Sequence, residues 1–179
     1  MKFVYLTSVY KDYIKAFYGK QPLLAKMPYG EQMRQILMDS FGWNGAWESG
    51  LIPLGYDVET IVCNIKPLQQ MWAKERGISW TIFNWAKEIP LQQIKESEAE
   101  IVLGDVGTGV DNHWLKELRD MCPSVCLVLG YSGSPSFNIR TLQSYDAVIT
   151  CTKSLASRFR REGCCALYMR HAYNAKVLD

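Results

Sequence analysis

Ile101-Val102-Leu103-Gly104-Asp105-Val106-Gly107-Thr108-Gly109 is the stretch on which the fold turns. Three apolar residues stand side by side here, not alternating with polar ones, so neither face of this strand is built for water. Such strands belong to parallel sheets covered by helices. The glycines that follow mark an abrupt exit from the strand.

The same signature recurs outward from this point. Phe3-Val4-Tyr5-Leu6 and Val125-Cys126-Leu127-Val128-Leu129 are also apolar on consecutive residues. Strands are predicted over 2–7, 58–64, 101–104, 125–129, 147–151 and 165–169. Helical punctuation lies between them. In 66–76, Pro67 suits a helix start, Leu68, Met71 and Trp72 form one stripe, and Gly77 supplies a cap. In 111–122, an Asp or Asn cap precedes Trp114, Leu115 and Leu118, and Pro123 ends the helix. In 154–162, Leu155 and Phe159 face inward before Gly163. Alternating β and α elements with short connections imply right-handed crossovers and a parallel sheet. The fold class is a doubly wound, mostly parallel, Rossmann-like or flavodoxin-like α/β sheet, with strand order 2-1-3-4-5-6.

Residues 8–54 break this economy, because a minimal crossover needs only roughly 10–12 residues. This insert is predicted to hold a helix over 31–40 and is dense in aromatics, from Tyr10 and Tyr13 to Phe41, Trp43 and Trp47. A second aromatic group, Trp72, Trp80, Phe83 and Trp85, precedes the third strand. Pro90 is expected to break or kink the helix around it. Both groups read as core or as a groove that stacks sugar rings.

The 179 residues, 48% hydrophobic and 21% charged, fit one globular domain spanning 1–179. A net charge of +2 gives no argument for nucleic acid. No apolar run approaches the ~20 residues of a membrane span, and the N-terminal run is too short for a signal peptide. The six cysteines show no paired CxxC framework, so zinc is not indicated and free thiols in a reducing cytoplasm are expected. Cys63, Cys126, Cys151 and Cys165 fall in or beside the strand runs and are expected to be buried.

In an open parallel sheet, ligands sit beyond the carboxyl ends of the strands where strand order reverses, here between the first and third. Thr7-Ser8-Val9-Tyr10 and the segment from Gly104 to Gly109 leave the sheet there. The glycine segment reads equally as room for a ligand or as a turn needing positive φ, and Asp105 as a functional carboxylate or a turn aspartate. Gly130-Tyr131-Ser132-Gly133-Ser134-Pro135-Ser136 offers hydroxyls and amides at the same edge, or is a connection without a ligand. Neither segment matches a dinucleotide or phosphate-loop motif. Of the two histidines, His113 suits a solvent-facing helix start. His171 follows the last strand, as a linker residue or a catalytic one. No GxSxG elbow supports Ser/His/Asp catalysis. The arginines at 158, 160, 161 and 170 suit a solvated helix face.

The chain resembles the N-terminal domain of a GT-B glycosyltransferase, nearest to bacterial family 1/family 4-type enzymes related to spore-maturation glycosyltransferases. The carrying phrases are Lys2-Phe3-Val4-Tyr5-Leu6-Thr7-Ser8-Val9-Tyr10-Lys11-Asp12-Tyr13, Phe41-Gly42-Trp43, Leu54-Gly55-Tyr56-Asp57-Val58-Glu59, Pro67 to Glu75 and Cys165 to Asn174. The likeness spans nearly the whole chain and is one of fold and phrase, without a catalytic signature. It implies an acceptor-binding half, with no cofactor, that meets a nucleotide-sugar donor through a second domain outside this chain, so that this chain alone is inactive. The acceptor it implies is a sugar or another hydroxyl compound. Asp105, and next His171, are the candidate catalytic residues. Thr7, Ser8, Tyr10, Gly107, Tyr131, Ser132 and Gly133 are the candidate substrate-binding ones. A stand-alone small-molecule or nucleotide-binding module and a protein-interaction domain remain as alternatives.

Overall fold

The computed structural model describes residues 1–135 and 138–170. His171 and the segment after it lie outside the described residues. Six strands form one all-parallel sheet: β1 Lys2–Thr7, β2 Asp57–Val62, β3 Ile101–Asp105, β4 Leu127–Tyr131, β5 Ala147–Thr150 and β6 Ala166–Tyr168. Their order is β2-β1-β3-β4-β5-β6, the predicted one. The chain therefore leaves β1 toward one side for β2 and returns to the other side for β3, which puts the reversal between β1 and β3.

Right-handed crossovers then decide which face each helix covers. The connections from β2 onward all step the same way. They carry α5 (Trp85–Glu96), α6 (Asn112–Met121), α7 (Ile139–Leu142) and α8 (Lys153–Arg161) to one face. There Val4, Leu6, Val102, Val128 and Val148 of the sheet share a core with Leu91, Ile94, Trp114, Leu118, Leu142 and Phe159. The opposite face presents Phe3, Tyr5, Ile101 and Leu103, packed by Trp43, Trp47 and Leu51 of the insert and by Tyr56 just before β2. On that face Leu127, Leu129 and Ile149 stay only half-buried, so β4 alternates in burial although its sequence does not.

The insert accounts for its aromatic richness by building two structures. Its helices α1 (Lys11–Lys20) and α2 (Tyr29–Asp39) pack Phe17, Met33 and Ile36 against Ile65 and Leu68, with α4 (Lys66–Glu75) as their base. Its helix α3 (Ala46–Leu51) lies on the sheet beside β2. The second aromatic group is core at Trp72, with Trp80 and Trp85 packed beside it, but Phe83 is 92% exposed.

Three further expectations are corrected. Of the break or kink expected at Pro90, the break is excluded, because helix α5 runs through it. The fourth strand begins two residues late, because the Val125 N–H donates to the Cys122 carbonyl in the turn leaving α6. Cys126 and Cys165 are exposed, since each precedes its strand and does not lie within it; Cys63 is buried as expected and Cys151 is partly so. All six thiols are free. His113 is exposed in the first turn of α6, and Asp111 caps that helix by accepting from the Trp114 N–H at 2.9 Å. No helix among the described residues is long and apolar enough to cross a membrane.

Candidate functional site

Strand register assembles the site. Tyr5 and Thr7 point to one face of β1, and Asp105 ends β3 on that same face by the two-residue period. Gly104 pairs with Leu6, and Asp105 is the register partner of Tyr131 at the end of β4. β4 runs on to Tyr131, two residues past the predicted end of that strand, and its register sets Tyr131 opposite Asp105.

Asp105 is held by its neighbours. Its Oδ2 accepts from the Thr7 hydroxyl at 2.6 Å and from the Tyr5 hydroxyl at 2.9 Å. Tyr5 is buried, so its hydroxyl depends on this bond. Burial pushes the Asp105 carboxyl above the usual carboxylate range, and the hydroxyl bonds from Thr7 and Tyr5 oppose that rise. Burial, with the Asp105 charge next, likewise pushes the Tyr5 hydroxyl well up, so it stays a donor.

A cavity of about 360 Å³ opens over this carboxylate, within the roughly 300–1,000 Å³ of small-molecule sites. Tyr5, Thr7, Ser8, Val9, Tyr10, Asp105, Val106, Tyr131 and Gly133 line it from the strand ends. The far wall is Phe41, Gly42, Trp43 and Asn44, from the turn between α2 and α3. Trp43 packs on Tyr131 with ring centroids 4.7 Å apart and on Trp47 at 5.8 Å. Tyr10 meets Phe41 edge to face at 6.0 Å. That turn holds its shape through left-handed backbone at Ser40, Gly42 and Gly45, and a Cβ on Gly45 would stand 3.3 Å from the Leu37 carbonyl oxygen. Asn44 is 2% exposed, and its Nδ2 has no hydrogen-bond partner.

The predicted residues thus divide. Thr7, Ser8, Tyr10, Asp105, Tyr131 and Gly133 line one cavity. Gly107 is not among the lining residues and sits at φ 104° in the turn after β3, the positive φ that its turn reading requires. Ser132 is buried, with its N–H donating to the Ile149 carbonyl and its Oγ to the Ser134 carbonyl. The sequence reading missed Tyr5 and Asn44 as cavity residues, and had Phe41 and Trp43 only as core or groove aromatics with no place assigned. For Tyr5 the signal was present, two residues before Thr7 on the same strand face. Among the described residues, no cluster of His, Cys, Asp and Glu suits a metal ion.

No family model matches the chain, and no curated protein matches it either.

Proposed function

We propose that the cavity at the β1–β3 reversal binds a hydroxylated small molecule of the sugar class, and that the chain serves as the acceptor-side half of a two-domain glycosyltransferase. The observation that carries this reading is the Asp105 carboxylate, fixed by Tyr5 and Thr7 beneath aromatic walls. Aromatic faces stack on the C–H faces of sugar rings, and a carboxylate accepts hydrogen bonds from their hydroxyls. A carboxyl raised by burial is also a better base for an acceptor hydroxyl at the moment of attack. The described lining holds no Lys, Arg or His, so the diphosphate of a nucleotide-sugar donor has no cation to meet here. A second domain supplying that half of the reaction fits both this lining and the family resemblance.

Titration of the chain with monosaccharides, followed by tryptophan fluorescence, tests the binding half of the reading. Saturable quenching that Trp43→Leu removes, with no turnover of nucleotide sugars by this chain alone, is the expected result. Saturable binding of a nucleotide with no response to any sugar would replace the reading with that of a nucleotide-binding module. In the complete two-domain enzyme, Asp105→Asn lowers turnover about 10²-fold or more if the residue is the base.

A further inference from the structure

The cavity combines features that a neutral sugar does not require. It has one carboxylate, aromatic walls from Tyr10, Trp43 and Tyr131, and no cationic side chain among its described lining residues. From this juxtaposition we infer that the ligand carries a positively charged amine, seated against Asp105 and the aromatic rings, as in an amino sugar. This rests on the sugar-site reading above and narrows it to a substrate class.

Three observations carry the inference. Aromatic faces attract cations through their quadrupole, and Tyr10, Trp43 and Tyr131 line the cavity. Among the described residues the carboxylate has no cationic partner: its hydrogen bonds come from two neutral hydroxyls. A half-buried carboxylate held only by neutral donors keeps part of its desolvation cost, and an ammonium would offset it. The third is Asn44, whose buried Nδ2 lacks an acceptor and borders the same cavity. A hydroxyl or carbonyl oxygen of a ligand that reached this donor would pair it, as a sugar offers.

The groups that face Asp105 leave the charge to be supplied from outside. They are Tyr5 on β1, Cys63 after β2, Tyr131 on β4 and Tyr145 before β5. Burial is the leading cause that raises all four, the thiol of Cys63 to about 12, so none is charged near neutrality. Cys151 lies one step further, beside Tyr131, whose hydrogen bond lowers its pKa. Asp105 is itself raised by burial, so the charged carboxylate that meets the ammonium forms only as pH passes that raised value. Affinity for a permanently charged ammonium should rise with pH through the Asp105 titration and level off above it.

Calorimetric titration of the full chain with D-glucosamine, D-glucose and tetramethylammonium, at several pH values, tests this. Glucosamine is expected to bind about tenfold or more tightly than glucose, with tetramethylammonium binding measurably and more tightly as pH rises. Asp105→Asn should abolish the preference for the amine. Because Asp105 also holds Tyr5 and Thr7, Tyr10→Ala is the second variant. Tyr10 is 79% exposed, and its loss should weaken tetramethylammonium by about 2- to 5-fold without disturbing the fold. Equal binding of glucose and glucosamine would overturn the amine and leave the sugar site standing. Equal binding of tetramethylammonium and glucosamine, with none of glucose, would keep the amine and overturn the sugar. Absence of binding by all three probes would overturn both.

Discussion

The Thr7 hydroxyl donates to Asp105 Oδ2 at 2.6 Å, joining the ends of two strands that lie 98 residues apart in the chain. The bond closes the β1–β3 reversal at the point where the chain has most to gain from a fixed carboxylate. Tyr5 adds a second hydroxyl to the same oxygen. Three side chains from two strands are thereby locked together before any ligand arrives, which is what a preorganised site requires.

That arrangement separates two substitutions at Asp105. Asparagine keeps an acceptor for Tyr5 and Thr7 and removes the charge, whereas alanine leaves a buried hydroxyl unpaired at a cost of about 1–3 kcal/mol. The carboxyl is raised in the folded state, so its contribution to stability is full below the unfolded value of about 3.9 and is lost as pH rises through the folded one. Relative to the native chain, Asp105→Asn should therefore be more stable at pH 7 than at pH 4. Urea denaturation of both proteins at the two pH values checks this; a relative stability that falls with pH would mean that the charge is stabilised in place.

How much of this was legible follows from where each feature's cause lies. Strand order was legible because consecutive apolar residues in Phe3–Leu6 and Ile101–Leu103 mark covered strands, and crossover handedness leaves few orders for them. The start of β4 was not, since Val125 and Cys126 extend the apolar run yet are used by the turn after α6. Asp105, Thr7 and Tyr131 could be placed at one edge from strand ends alone. Phe41 to Asn44 could not, because their position depends on how α1 and α2 pack against α4, a tertiary contact with no local pattern. Only the aromatic density and the glycines at 42 and 45 pointed to that turn.

Close packing at the sheet gives a paired test. A Cβ on Gly130 would lie 3.0 Å from Val106 Cγ2 and 3.1 Å from the Tyr145 ring, while one on its register partner Gly104 meets nothing within 4 Å. Gly130→Ala should cost about 1–3 kcal/mol by overpacking. Gly104→Ala should stay within about 0.5 kcal/mol of the native chain. Thermal denaturation of the two variants compares them, and equal losses would show that Tyr145 yields without strain.

Asp111 provides a titration of opposite sign. It caps α6 through the Trp114 N–H and meets Lys87 at 2.8 Å, and the Lys87 bond, then the backbone bond, holds its carboxyl below the usual range. Its stabilisation is thus present above the unfolded value and is lost as pH falls through the folded one. Asp111→Ala should cost about 1 kcal/mol at pH 7. Lys87→Ala should cost less than that, because the pair is solvent-exposed. A larger loss from Lys87→Ala than from Asp111→Ala, measured by urea denaturation, would make the ion pair and not the cap the main contribution.

Cys151 reports on the cavity through Tyr131. Cys126 and Cys165 are exposed and Cys151 partly so, whereas Cys63, Cys122 and Cys164 are buried. The thiolate is the reacting form, so a thiol needs both access and a low pKa. Burial raises Cys122 and Cys164 and pushes Cys63 up to about 12. Cys151 moves the other way, lowered by a hydrogen bond from Tyr131. A disulfide reagent such as DTNB near neutral pH should therefore modify Cys126, Cys151 and Cys165 quickly, with Cys151 fastest, and reach the rest only in denaturant. Cys151→Ser should remove the fastest phase. Because Tyr131 lines the cavity, a bound ligand that shifts its hydroxyl changes the Cys151 rate and leaves the rates of Cys126 and Cys165 alone. Uniform slowing of all three thiols by ligand would point to a general change in the chain, and would break the proposed connection between Tyr131 and Cys151.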